Sequence, residues 1–307
     1  MTSAVMRHTD MTEETRQHFL AWASIKQTQV EQVLNQLLPS EQRIPQTLHS
    51  AMRYSALGGG KRVRALLCYA AAELCNTELA TANAAAAAVE LIHAYSLVHD
   101  DMPCMDDDDF RRGKPSCHKQ YDEATALLVG DSLQTLAFDV LSQPGLSNPT
   151  TQINMVNILA KASGTSGMAG GQAIDLSAVG KSLGQDELEY MHRLKTGALI
   201  NAAVLLGATG GSDAHIAAVS QYADRIGLAF QVVDDILDVE ADSATLGKTA
   251  GKDAENNKPT YVSILGLTAA KQHAQQLYQE ALIALTPFDD QAKHLRLLAD
   301  FIMQRSF

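Results

Sequence analysis

The stretch that most constrains the fold runs from Ala82 to Asp101, ANAAAAAVELIHAYSLVHDD. Alanine is the strongest helix former, and its single methyl lets neighbouring helices approach closely. The stretch therefore predicts a long helix packed tightly among others. Composition points the same way: 46% of the 307 residues are apolar but only 5% are aromatic, so Ala, Leu and Val carry the core. That balance favours helix packing over sheet, and no stretch reads as a convincing strand. The predicted class is all-α, a single-domain helical bundle over residues 15–307, preceded by a polar, aperiodic segment over residues 1–14 that is expected to be loose.

Helical spacing recurs along the rest of the chain. Phe19, Trp22, Ile25, Val30, Val33, Leu34 and Leu37 mark a first helix over Glu14 to Leu38, stopped by Pro39. Further helices are predicted from near Pro45 to Leu57, from Gln120 to Leu141 and from Leu188 to Leu206. Ile153 to Leu176 also reads as helix but is interrupted by GTSGMAGGQAID, whose glycines predict a kink or a close approach of backbone to ligand. The lysine-rich stretch Gly247 to Tyr261 is expected to be a loop and a candidate lid, and Leu267 to Phe307 an amphipathic helix.

The net charge of −11 argues against nucleic acid as a partner, because a phosphate backbone needs a basic surface. Cys68, Cys75, Cys104 and Cys117 show no CxxC pair and no zinc-ligand spacing, so reduced thiols are expected. The N-terminus lacks the apolar core of a signal peptide. The most apolar later run, Gly197 to Gly210, is too short for a membrane span and contains Asn201. A soluble, cytoplasmic protein is the expectation.

The long alanine-rich helix runs directly into His99 to Pro115, HDDMPCMDDDDFRRGKP. Asp100, Asp101 and Asp106 to Asp109 place six carboxylates within ten positions, and Arg111 and Arg112 follow. Such carboxylates repel by about 1 kcal/mol per contacting pair in water and by more in a cleft. Either the stretch is a solvated acidic loop, or it holds a cation. Gly227 to Asp238, GLAFQVVDDILD, bears on that choice. Helical spacing puts Gln231, Asp234, Asp235 and Asp238 on one face between apolar residues, a poor solvated face. Carboxylate oxygens suit magnesium, which keeps water and phosphate oxygens in its shell. Two acidic clusters on facing helices suggest a diphosphate held between them by magnesium. Pro103 ends the regular helix, so Asp106 to Asp109 must return through a loop.

A third stretch, Gly58 to Leu67, reads GGGKRVRALL, a glycine hinge opening a helix with Lys61, Arg62 and Arg64 in its first turn. Cations there oppose the helix dipole unless an anion is present, so the stretch is either a phosphate site or a flexible surface turn. His93 lies seven residues before Asp100 on the same stripe, either as a satisfied core histidine or facing the same cavity. Lys195, followed by Thr196, is on its own an ordinary solvated lysine.

With DDMPCMD (Asp100 to Asp106), DDILD (Asp234 to Asp238) and GGGKRVR in this order, the chain resembles the trans-isoprenyl diphosphate synthases, in particular their bacterial farnesyl diphosphate branch, from roughly Leu34 to Arg305. The resemblance implies a helical bundle of isoprenoid synthase type around a deep central cavity, and a homodimer. It implies that Asp100 and Asp106 bind two magnesium ions and Asp234 a third, with Asp101, Asp235 and Asp238 alongside. It implies that Arg111, Lys195, Thr196, Gln231, Lys248 and Lys258 contact an allylic diphosphate and its metals, and that Lys61, Arg64, His93 and Arg112 form the isopentenyl diphosphate pocket. The activity implied is condensation of isopentenyl diphosphate with dimethylallyl or geranyl diphosphate to farnesyl diphosphate. A geranylgeranyl diphosphate synthase would differ only in pocket depth. A terpene cyclase would not need the Lys61, Arg64 and His93 pocket, and a non-catalytic subunit would have lost one acidic motif, whereas both are intact. The basic tail common in the family does not carry over, because this chain ends Gln304-Arg305-Ser306-Phe307.

Geometry also bears on product length. A chain growing along the helix away from the metals meets Tyr95, with Ser96 beside it, five positions before Asp100, about 7.5 Å at 1.5 Å per residue. A tyrosine there would block growth, resembling enzymes of the family that stop at fifteen carbons, unless it is simply packed in the core.

Overall fold

The computed structural model describes residues 12–181, 183–240 and 259–304. Helix α1 (Glu13–Leu37) starts where the Thr12 hydroxyl accepts the Thr15 N–H, with Glu13 and Glu14 in its first turn against the positive end of the dipole. Glu13, expected in the loose segment, is therefore helical. Next come α2 (Gln46–Ala56), α3 (Val63–Cys75) and α4 (Leu79–Asp100). The alanine-rich prediction holds in α4: Ala85, Ala86, Ala87, Ala88 and Val89 are all fully buried, which is possible only for a helix surrounded on every side. Helices α1, α2 and α3, and α6 and α10 described below, close around it.

One expectation is corrected here. Phe110–Arg111 (β1) and Lys114–Pro115 (β2) form a minimal antiparallel hairpin, with Phe110 opposite Pro115 and Arg111 opposite Lys114. Its two-residue turn has positive φ at both Arg112 (52°) and Gly113 (72°), the handedness that matches strand twist. Two residues per strand leave no periodicity to read in a sequence.

After the short α5 (Cys117–Gln120) come α6 (Glu123–Ser142), α7 (Pro149–Ser163) and α8 (Met168–Ala178). The predicted interruption is thus a true break between α7 and α8. Helix α9 (Gln185–His192) passes through one π turn, Arg193–Gly197, into α10 (Ala198–Gly207), and α11 (Asp213–Glu240) is the longest element. The C-terminal region divides into α12 (Tyr261–Leu265), α13 (Leu267–Ala284), a 3-10 segment Thr286–Ala292 containing Pro287, and α14 (Lys293–Met303). The single helix expected from Leu267 onward is therefore broken.

The core consists of two apolar clusters. One gathers around α4, α6 and α2, the other around α11, α13 and α14, and opposite faces of α3 and α10 belong to each. These two helices touch closely because Gly207 has no side chain: an added Cβ would lie 2.1 Å from the Cys68 carbonyl oxygen. Among the described residues α6 alone is long and apolar enough to cross a membrane, and it lies along α4 in the bundle. All four cysteines are free. Most of the expected lid, with Lys248 and Lys258, lies outside the described residues, as do residues 1–11 and 305–307.

Candidate active site

The end of α4 shows how six aspartates are sorted. Pro103 stops the helix, and the chain folds back on its last turn: the Asp106 N–H donates to the Asp100 carbonyl (2.8 Å), and the Asp108 N–H to that of Asp101 (3.2 Å). Asp106 thereby returns beside Asp100. Asp101 is buried and accepts from Arg111 of β1, whose Nε lies 3.0 and 3.2 Å from its two oxygens; Arg111 also reaches Asp108 at 3.4 Å. Sequence reading put Asp101 beside the metals and Arg111 on the diphosphate. The structure pairs them with each other, and the pair ties the hairpin to the end of α4. On the outer flank Asp107, Asp109 and His118 lie within 4.8 Å of one another, with Asp109 paired to Lys119 at 2.9 Å.

Asp100 is in a different environment. Burial pushes its carboxyl up to about 6; Lys195 opposes the rise, and the charge of Asp106 adds to it. Desolvated, mutually repelling hard-oxygen donors are what a divalent cation relieves, so this donor set fits magnesium.

Gln231, Asp234, Asp235 and Asp238, expected on one face, all lie on α11, and Gln231 and Asp235 line one cavity. Asp235 is buried and accepts the Tyr261 N–H at 2.7 Å, joining the start of α12 to α11. In each motif, then, the second aspartate of the DD pair has a structural partner: Arg111 for Asp101 and the Tyr261 amide for Asp235.

Between the motifs stands Lys195, within the π turn, and its Nζ donates to Asp175 Oδ2 of α8 at 2.5 Å. A π turn inserts a residue into the helical ladder and often marks a functional position. Helix α8 reaches it through Gly171, where an added Cβ would lie 2.1 Å from the Lys195 amide nitrogen. The close approach at Gly171 is backbone to backbone. One turn away, His192 is buried and stacked on Tyr261 with centroids 5.6 Å apart; burial pushes its imidazole down to about 4.

Arg62 adopts a left-handed conformation as the N-cap of α3 and is buried, pairing with Glu31 (2.6 Å) and Glu90 of α4 (3.0 Å). Glu90 also accepts the Ala65 N–H at 3.1 Å, so the positive end of α3 is met by the protein's own carboxylate. The cationic character lies beside it. His93 is held well below the ordinary histidine range by burial and by Arg64, Arg112, Arg62 and Arg111, which leaves a neutral imidazole amid positive charge. Arg112 lies across the glycine hinge: a Cβ on Gly59 would meet its Cδ at 2.8 Å. Lys61 Nζ sits 5.8 Å from the centre of the Phe301 ring.

One cavity of about 410 Å³ gathers Arg64, His93, Tyr95, Ser96, Asp100, Lys195 and Thr196 on its wall, with Met105, Met168 and Leu176 supplying apolar surface. A neighbouring cavity of about 120 Å³ shares Lys195 and Thr196 and adds Gln231, Asp235 and Asp175. Arg111 and Arg112 line a separate space of about 50 Å³ with Gly58 and Gly59. Sequence reading missed Asp175, Glu90 and His192, whose partners are supplied by other helices. Of these, only the buried Glu90 within an alanine-rich helix carried a signal, as a charge with no local counterion.

The polyprenyl synthetase family model matches residues 45–297. Farnesyl diphosphate synthase of Escherichia coli (strain K12) is 50% identical over 263 residues, 83% of this chain and 88% of that protein. The chloroplastic heterodimeric geranylgeranyl pyrophosphate synthase large subunit 1 of Arabidopsis thaliana is 47% identical over 296 residues, covering 94% of this chain and 79% of that protein. The crystal structure of geranyltransferase from Helicobacter pylori complexed with magnesium and isoprenyl diphosphate has a TM-score of 0.82 at 32% identity, covering 94% of this chain and 98% of that one. With the helical bundle, the two aspartate motifs and the basic pocket described above, these matches make the chain a member of the polyprenyl synthetase family.

Proposed function

We propose that the protein condenses isopentenyl diphosphate with dimethylallyl or geranyl diphosphate to give farnesyl diphosphate, releasing diphosphate. The observation that carries this reading is the single cavity that joins Asp100 and Lys195 to Arg64 and His93 and runs past Tyr95. The relatives named farnesyl diphosphate synthase support the same reading.

Asp100, Asp106 and Asp234, with Asp238, would hold magnesium, three ions in all; when bound, it neutralises the departing diphosphate. Lys195, oriented by Asp175, adds a fixed cation there, with Thr196 and Gln231 beside it. Asp101 and Asp235 act indirectly, by fixing the loop and helix that carry the ligands. Lys61, Arg64 and Arg112 hold the second diphosphate, and neutral His93 offers it an N–H rather than a further charge. As the allylic carbon–oxygen bond breaks, a cation develops, and the apolar wall of Met105, Met168 and Leu176 excludes the water that would quench it. The double bond of isopentenyl diphosphate attacks, one carbon–carbon bond forms, and a proton leaves for the released diphosphate. Tyr95 limits chain growth. A homodimer fits the outer face of α6, where Leu127 and Leu128 are about half exposed.

The test is product analysis with purified protein, magnesium, labelled isopentenyl diphosphate and geranyl diphosphate. A fifteen-carbon product that vanishes with chelator is expected, and Tyr95→Ala should shift it to twenty carbons or more. A twenty-carbon product from the unaltered protein would keep the chemistry and remove Tyr95 as the limit. No condensation at all would remove the proposal.

A further inference from the structure

We propose that His99, pinned to α6 at Gly130, is the residue that makes the Tyr95 floor rigid and so sets product length; this rests on the reading of the large cavity as the housing of the growing chain. His99 is one turn beyond Tyr95 on α4, and both line that cavity. Their rings meet edge to face, with centroids 5.7 Å apart at an interplanar angle of 80°, a favourable arrangement for aromatic pairs. The imidazole is fixed from behind, because its Nε2–H donates to the Leu127 carbonyl of α6 at 3.0 Å. That approach requires a glycine on α6. A Cβ on Gly130 would lie 2.0 Å from His99 Nε2 and 2.4 Å from Cδ2, so a side chain there would have to displace the imidazole.

A prenyl chain pressing on Tyr95 therefore meets a stack of two rings against a helix. Tyr95 cannot turn toward α6 while His99 fills that space, and His99 cannot retreat while it is bonded to Leu127 and in contact with Gly130. His99 acts on chain length through Tyr95 and is a positioning residue. The same geometry gives opposite signs for its two halves. Removing the imidazole leaves room for Tyr95 to swing away and deepens the cavity. Adding a methyl at position 130 drives the imidazole off α6 toward Tyr95 and makes the cavity shallower. Neither change touches a diphosphate-binding group.

The experiment measures product distribution for the full-length protein with labelled isopentenyl diphosphate and dimethylallyl diphosphate. For His99→Ala the ratio of twenty- to fifteen-carbon product should rise by about tenfold, the discrimination a single pocket contact gives. For Gly130→Ala the ten-carbon product should accumulate at the expense of fifteen. In the double variant the new methyl occupies part of the vacated space, so its distribution should return toward that of the unaltered protein. His99→Gln, which retains an N–H for Leu127, should rescue much of the fifteen-carbon product. If His99→Ala condenses with an unchanged distribution, the inference is overturned while the proposed function stands. If the unaltered protein makes no prenyl product, the function itself fails. Should Gly130→Ala not fold, the comparison of His99→Ala with His99→Gln decides the question, because a purely structural loss would lower yield without changing chain length.

Discussion

Asp100 and Asp101 are adjacent in the chain yet do different physical work. Asp101 has a guanidinium against it, whereas Asp100 faces the cavity with its carboxyl up at about 6. Asp100→Ala should therefore lower turnover by at least about a hundredfold, the scale of removing one electrostatic contact at a reacting centre, with the circular dichroism spectrum unchanged; near-normal turnover would refute the metal assignment. His192 gives a stability prediction with a definite sign. Its folded-state pKa of about 4 lies below the ordinary 6.5, so an unfolded chain takes up a proton that the folded one refuses. The contribution of neutral His192 is fully present above 6.5 and is lost as pH falls toward 4, with a slope of up to about 1.4 kcal/mol per pH unit. Neither ring nitrogen has a hydrogen-bond partner among the described residues. His192→Phe, which keeps the stack on Tyr261, should thus flatten the dependence of urea midpoint on pH in that window.

At the scale of elements, the basic pocket depends on a contact between α3 and α4. Glu90 is 2% exposed and answers both Arg62 and the first turn of α3, so the glycine hinge with its lysine and arginines is held by a buried ion pair. Breaking such a pair from one side leaves an uncompensated buried charge. Glu90→Ala should destabilise the fold by about 3–5 kcal/mol, measured by chemical denaturation, and should raise KM for isopentenyl diphosphate more than it lowers kcat, because the pocket loses its anchor before the acidic motifs lose theirs. A stable variant with unchanged KM would show that the hinge holds itself. The hairpin shows the same dependence: two residues per strand cannot stand alone, and the Arg111–Asp101 pair supplies the attachment.

For the molecule as a whole, α6 separates inside from outside. One side lies against α4, and the helix also exposes Leu127 and Leu128. A second copy covering that face would bury these residues. The double variant Leu127→Glu/Leu128→Glu should shift the molecular mass in light scattering from dimer to monomer, since charge in the apolar centre of an interface is strongly unfavourable. An unchanged dimer would move the interface elsewhere, and a monomer in the unaltered protein would remove it.

The helical class was legible because an alanine-rich, aromatic-poor chain has few other ways to bury its apolar surface, and α4 bears this out residue by residue. The two acidic motifs were legible because six carboxylates after one helix, and a spaced set on another, are local patterns with a local electrostatic cost. Spacing could also place Tyr95 a turn and a half before Asp100. What only the tertiary structure decided was which charge meets which. That Glu90 meets the start of α3 and Asp175 meets Lys195 depends on helices apart in sequence meeting in space, and that Arg111 meets Asp101 depends on the hairpin folding back over the end of α4. The same holds for His99, whose ring fits only because Gly130, thirty-one positions later, has no side chain. Local pattern fixes which elements form and which groups are costly; long-range packing selects the partner that offsets each cost.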